Sequence, residues 1–372
     1  AAAESLALFA PTTPNDSGPL APGAYSIVEN AQSGWTPTST VCTSSIGDTE
    51  TAGSLELDGG ETITCVFTNT KQGSITIVKN AFGGDGTFTY DSEPVLPAPS
   101  DDEGEFSIAT VGCNFTCRHC QNWQIAHADA SAVARDLRAL PVRNLPVLAE
   151  HNGCRGVAWT YNEPTIWLEY ILDGAQVAHD HGLYTVMVTN GYITDEALEV
   201  VAPHIDAYRV DVKGFSADAY YELCRIKDFA PVLRAAVRSK HEFGCHVEIV
   251  TNVIPTVNDD EGMLRDIAGW IRDDLGPETP WHVTRFMPYL EFAHLPATPI
   301  RTLERAVEIG LGAGLRFVYV GNVPGHAGEN TVCPNCKRLL VRRTGYEIED
   351  VALRGTFCAM CGENVNVRTE LK

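Results

Sequence analysis

The chain has 372 residues, room for two or three domains, and its formal net charge of −21 at pH 7 argues against a nucleic-acid or anionic-membrane partner, because both demand a basic surface. No apolar run reaches the length that crosses a bilayer, and Ala1–Ala10 lacks the basic start of a secretory leader, so any leader is expected to have been removed or never present. Of the twelve cysteines, most fall into groups with metal-ligand spacing, which points to a reducing, cytoplasmic setting.

Residues 1–100 are rich in Thr, Ser, Gly and Pro and carry short alternating runs at Ala24–Val28, Glu61–Thr68 and Gly73–Lys79. Such period-two segments, broken by Gly, Asp and Asn, predict an all-β antiparallel sandwich. The wording CVFTNTKQGSITIVKNAFGGDGTF resembles the prealbumin-like β-modules of bacterial surface proteins, which makes 1–90 the expected module region with a second copy cut short near Asp91. Cys42 and Cys65 are either a disulfide of such a module or two free thiols. Pro94, Pro97 and Pro99, followed by Asp101–Glu105, make 91–105 the expected linker. A surface module outside the cell and clustered thiols inside it pull the compartment in opposite directions.

From Phe106 the pattern changes. Apolar, β-rich runs at Phe106–Val111, Gly156–Thr160, Tyr184–Thr189, Ala207–Val212, His246–Ile254, His282–Phe286 and Phe317–Val320 predict strands. Helical stretches at Thr165–His181, Asp195–Val201, Ala217–Phe243, Glu261–Asp274 and Thr302–Ala313 lie between them. The alternation implies parallel strands with helical crossovers, an α/β sheet or barrel.

The first of these strands runs into Gly112-Cys-Asn-Phe-Thr-Cys-Arg-His-Cys-Gln-Asn-Trp123, with Cys113, Cys117 and Cys120 in C-x3-C-x2-C spacing. Three thiolates on one tight loop hold three irons of a cubane cluster and leave the fourth open to chemistry. A structural zinc site wants four closed ligands, and no fourth follows at finger-like spacing, although His119 lies within the loop. The spacing after a first strand resembles the signature of radical S-adenosylmethionine (SAM) enzymes. The wider run is similar to the radical SAM protein of the AmmeMemoRadiSam system, a group related to the activating enzyme of pyruvate formate-lyase. The resemblance extends from about Phe106 to about Val367.

What it implies is a partial TIM-type barrel of about six βα units, (β/α)6, over 106–330, with chemistry at the C-terminal ends of the strands. It implies a [4Fe-4S] cluster on Cys113, Cys117 and Cys120, with SAM chelating the open iron. Reductive cleavage to methionine and a 5′-deoxyadenosyl radical, followed by hydrogen abstraction, is the implied reaction. The implied partners are an electron donor such as flavodoxin or ferredoxin and a protein or small-molecule substrate, a glycyl residue of a protein being one candidate.

Further motifs fall where that barrel wants them. In Thr160-Tyr-Asn-Glu-Pro164, Asn162 and Glu163 are by resemblance the acceptors for the SAM amino group, a helix N-cap being the plain alternative for Asn162. Asn190, in Thr189-Asn-Gly191, would bond the ribose or carboxylate of SAM, or simply make an Asn-Gly turn. Asp211 and Lys213 share one face of a strand; the resemblance gives them SAM contacts, against a surface ion pair. His282 matches a SAM-contacting histidine or is a satisfied structural one. Cys154, Cys224 and Cys245 read as small buried hydrophobes.

The tail, 331–372, carries Cys333-Pro-Asn-Cys336 and, 21 residues on, Cys358-Ala-Met-Cys361. Two C-x2-C knuckles give four thiolates a tetrahedral site and predict a zinc ribbon, an iron site being the alternative. Two rival functions remain open at this stage: a surface or structural binding protein with an inactive barrel, and a scaffold in which both cysteine groups bind zinc.

Overall fold

The computed structural model describes residues 4–8, 21–29, 35–71, 104–128, 140–345, 347–365 and 367. The second β-module and nearly all of the 91–105 linker lie outside the described residues. Among those described, no helix is long and apolar enough to cross a membrane.

The N-terminal unit is all β. Strand β1 (Glu4–Leu8) pairs with β2 (Gly23–Glu29), which pairs with β4 (Leu55–Leu57), while β3 (Trp35–Ser44) and β5 (Ile63–Lys71) form a separate antiparallel pair. The β1–β2 pair is parallel rather than antiparallel. Cys42 and Cys65 stand directly opposite each other on β3 and β5 and are disulfide-bonded, their Cα atoms 4.0 Å apart. Replacing both with serine is expected to lower the stability of this unit by about 3 kcal/mol, the entropy of the ring that a separation of 23 residues closes. Hydrogen-exchange protection of the β3 and β5 amides reads that loss.

The second unit is α/β, and all seven predicted strands are present: β6 (Glu105–Ile108), β7 (Gly156–Trp159), β8 (Tyr184–Thr189), β9 (Ala207–Asp211), β10 (His246–Val253), β11 (Trp281–Arg285) and β12 (Val318–Gly321). They form one seven-stranded parallel sheet in strict sequence order, with β6 and β12 at its edges. Among the described residues the α-helices are α1 (Trp123–Ala126), α2 (Leu145–His151), α3 (Leu168–Asp180), α4 (Asp195–Val201), α5 (Ala217–Cys224), α6 (Ala230–His241), α7 (Glu261–Trp270) and α8 (Ile300–Gly312). Right-handed crossovers that always step the same way leave their helices on one face. Trp159, Tyr208, Val210, Ile249 and Trp281 are fully buried. Gly174 of α3 and Gly310 of α8 let those helices approach, since a Cβ would meet the Trp159 ring at 2.9 Å and Val318 at 2.8 Å.

The stretch Ala217–Phe243, expected as one helix, is two. Arg225 adopts a left-handed conformation (φ 64°) that ends α5, and Pro231 sits in the first turn of α6, where its missing N–H costs nothing. This break presents the last turn of α5 to the cysteine loop.

The tail folds as β13 (Thr331–Val332), β14 (Leu339–Thr344) and β15 (Glu347–Val351), then a small pair, β16 (Leu353–Arg354) and β17 (Phe357–Cys358). Its small core, Cys333, Leu340, Val341, Cys358 and Val365, includes Phe317 next to β12, and Tyr319 of β12 packs against it. Arg316 adds an ion pair to Glu363 at 2.6 Å and a hydrogen bond to Asn364 O at 2.9 Å.

Candidate functional site

The loop between β6 and α1 carries the three thiols, and loops from three neighbouring elements hold it. Asn162, after β7, accepts from Thr110 N (3.3 Å) and donates to Gly112 O (2.9 Å), so it sets the path into Cys113. Asn122 donates to Tyr161 O at 2.7 Å and ties down the other end. After β8, Asn190 donates to Asn114 Oδ1 (2.7 Å) and accepts from Tyr192 N, while Asn114 donates to Tyr192 O (3.0 Å). Arg118 N donates to Leu223 O, an orphan carbonyl at the C-terminus of α5 (2.9 Å). The Arg118 guanidinium pairs with Glu222 and with Glu291 (2.6 Å) and lies over the Phe292 ring at 4.7 Å.

Cys117 is buried, and Cys113 and Cys120 are partly so. Burial pushes the Cys113 thiol up to about 12 and the Cys120 thiol to about 11, whereas a hydrogen bond from Cys224, with Lys213 nearby, pulls Cys117 down. Thiols that resist ionisation alone become thiolates when they bind a metal. The ligand atoms of the four tail thiols all lie within 4.8 Å of one another, the grouping that a single tetrahedral metal ion needs.

Asp211 and Lys213 project beside this loop from the C-terminal end of β9, 3.0 Å apart, with Lys213 only 13% exposed. Burial alone would lower Lys213, but Asp211 and the Cys117 and Cys224 thiols hold it well above its ordinary value. Asn258 donates to both Lys213 O (2.8 Å) and Asn252 O (2.9 Å), which binds this end of β9 to β10. Two buried polar atoms here have no protein partner, His119 Nδ1 and Asn252 Oδ1. Burial lowers His119 to about 3, so its imidazole is neutral, and it stacks on Phe292. Buried polar atoms are normally satisfied, so a bound polar molecule is the natural partner of these two.

Two of the expected ligand residues are otherwise engaged. Glu163 is 1% exposed, and its carboxylate accepts from Thr165 N (3.0 Å), Thr165 Oγ1 (2.6 Å), Thr189 Oγ1 (2.6 Å) and Asn190 N (2.8 Å). Three of those donors meet Oε1 and only Asn190 N meets Oε2, so the carboxylate staples the β7 and β8 loops and keeps acceptor capacity on Oε2. Burial raises its carboxyl above the ordinary range in spite of them. Replacing Glu163 with alanine is expected to cost about 3 kcal/mol or more, because several buried donors lose their acceptor. Glutamine should cost less, and exchange protection at Asn190 N and Thr165 N reads both. His282 is engaged by Glu248 at 3.1 Å and stacks on Tyr319 at 5.1 Å, two strands away from Asp211. Burial opposes ionisation of Glu248, yet His282 and His246 hold it well below the usual carboxylate range.

Cys224 was expected to be a bland core residue; it is buried, but its Sγ lies 3.5 Å from Cys117 Sγ. Nothing in its isolated position along the chain signals that contact. Arg118, His119 and Asn114 were also missed as contributors, since their roles come from partners more than 70 residues away.

Over 263 residues the chain is 38% identical to the uncharacterized protein MJ0808 of Methanocaldococcus jannaschii, covering 70% of this chain and 77% of that protein. The family model of the Radical SAM superfamily matches residues 107–267, from β6 through the cysteine loop into α7. The chain belongs to the radical SAM superfamily. This radical SAM chain is also 25% identical over 167 residues to the pyruvate formate-lyase-activating enzyme of Clostridium pasteurianum, covering 44% of the chain and 67% of that enzyme. Among solved structures, a domain of the pyruvate-formate lyase-activating enzyme from Bacteroides vulgatus matches with a TM-score of 0.39 and 18% identity, over 45% of this chain and 98% of that domain. Residues 2–71 match a prealbumin-like fold domain.

Proposed function

We propose that the α/β unit is a radical SAM enzyme of the activating-enzyme type, its sheet curled as a partial barrel over 106–330. The observation that carries this reading is the cysteine loop itself, three thiols at a strand's C-terminal end, held by Asn162, Asn190 and Leu223 O beside the buried Lys213. Cys113, Cys117 and Cys120 would hold a [4Fe-4S] cluster, which when bound supplies the electron that cleaves SAM to methionine and a 5′-deoxyadenosyl radical. The chain's own residues do the rest. Asn190, Asp211, Lys213 and the unpartnered His119 Nδ1 and Asn252 Oδ1 surround the place where the polar groups of SAM would sit. Asn162 and Glu163 orient the loops, Glu163 with acceptor capacity left on Oε2, and His282 is paired with Glu248. Phe115, Cys117 and His119 anchor the loop in the α/β core, while Asn114 and Thr116 face solvent.

By analogy with the named relatives, the substrate is a glycyl residue of a partner protein, with a small molecule as the second possibility, and the electron comes from a flavodoxin- or ferredoxin-type donor. Such chemistry calls for a reducing, cytoplasmic setting, against which the Cys42–Cys65 disulfide stands as the opposing feature. In the tail, Cys333, Cys336, Cys358 and Cys361 form a closed set with sulfur pairs at 3.6 and 3.7 Å, and we assign it a structural zinc ion in a ribbon. SAM binding tests the main reading: protein loaded with iron should bind SAM, and iron-free protein should lose most of that affinity. Equal affinity with and without iron would place SAM away from the loop and overturn the reading.

A further inference from the structure

Cys224 has no part in the ligand set, yet the fold delivers it to the heart of the loop. The left-handed Arg225 stops α5 so that its last turn faces the thiols, with Leu223 O receiving Arg118 N and Cys224 Sγ 3.5 Å from Cys117 Sγ. Arg225 is held in that conformation by the Tyr221 ring below it and by Glu291 at 3.7 Å. Cys224 is 1% exposed, so water does not compete for its S–H, and a Cys117 that binds metal as a thiolate has no proton to give, which leaves Cys224 as the donor of this sulfur pair.

We propose that Cys224 is a positioning residue that donates an S–H···S hydrogen bond to the Cys117 thiolate and thereby raises the reduction potential of the cluster. The inference rests on the reading that Cys117 is a cluster ligand. Its physical basis is that the reduced cluster carries more negative charge on its sulfurs, so a donor to one of them stabilises the reduced form more than the oxidised form. An enzyme that must deliver an electron from this cluster then depends on Cys224 for how readily the cluster is filled by its donor.

The test compares the full chain with its C224A and C224S variants after anaerobic reconstitution, with iron content measured first and the midpoint potential followed by electron paramagnetic resonance in a redox titration. C224A is expected to keep its iron and to lose about tenfold in the equilibrium constant for reduction, a downward shift of 59 mV for one electron. C224S keeps a donor and should recover most of the shift. An unchanged potential in an iron-replete C224A would overturn the proposal. So would a C224S shift as large as that of C224A, which would assign the effect to packing. Loss of iron from both variants would make Cys224 a ligand and overturn it as well. Failure of the wild-type loop to take up iron at all would instead overturn the reading on which the proposal rests.

Discussion

Alanine at Cys117 is expected to empty the loop of iron. Cys117 is the most buried of the three thiols, with Arg118 N bonded to Leu223 O beside it and Phe115 packed on Tyr192 just before it. A vacancy there cannot be filled by water without opening the core. Loss even of a residue that merely supports a metal ligand costs about 10–100-fold in affinity, so loss of the ligand itself should exceed about 100-fold. Iron per chain and visible absorbance after anaerobic reconstitution should therefore fall to background for C117A, and likewise for C113A and C120A. C154A is the matched control, since Cys154 lies outside the loop with its thiol near Asn152 O at 3.6 Å. Full iron in C117A would mean that the loop is not the cluster site.

Removal of the metal proposed for the tail is expected to have the second large effect. The tail core is only a handful of side chains, two of them metal-type cysteines, and β13, β16 and β17 are two residues long. Such a segment lacks the buried area to fold alone. A structural zinc ion contributes apparent free energies of about 10–16 kcal/mol in small ribbons and fingers. Chelation is therefore expected to abolish exchange protection across 331–365 while leaving β6–β12 protected, and metal analysis should find one zinc per chain. The contact of Tyr319 with Thr331 (3.0 Å) and the Arg316–Glu363 pair are too few to hold the tail without it. Protection that survives complete metal removal would assign the tail's stability to packing on β12 instead.

The α/β framework was legible because each strand is a compact, β-rich apolar run too short for a helix and set between helical patterns. All seven such runs became strands within a few residues of their expected bounds. The N-terminal unit was less legible. Strand β3, Trp35–Ser44, is mostly Thr and Ser and shows no apolar alternation, so its pairing with β5 through Cys42 and Cys65 was visible only as a question about two thiols. Pro231 inside the stretch signals a break, but its place at Arg225 was hidden because nothing in Cys-Arg-Ile-Lys-Asp forbids a helix; the tertiary hold on Arg225 and Leu223 decides it.

At the site, residue types pointed to loops that the fold brings together, while the partners of each side chain come only from the coordinates. Asn190, Asp211 and Lys213 gather beside the thiols. Glu163 has the chemistry of a ligand acceptor, and only coordinates reveal the four internal donors that meet it. His282 was ambiguous by type, and its pairing with Glu248 on the adjacent strand is a matter of register, which sequence alone does not set.

The central claim, that this cysteine loop supports reductive cleavage of SAM, is tested most directly by product. The wild-type chain is reconstituted without oxygen, reduced, given SAM, and assayed for 5′-deoxyadenosine and methionine beside C117A. The account predicts both products from the wild type and neither above background from C117A. A wild-type protein that holds four irons in the loop yet forms no 5′-deoxyadenosine would contradict it.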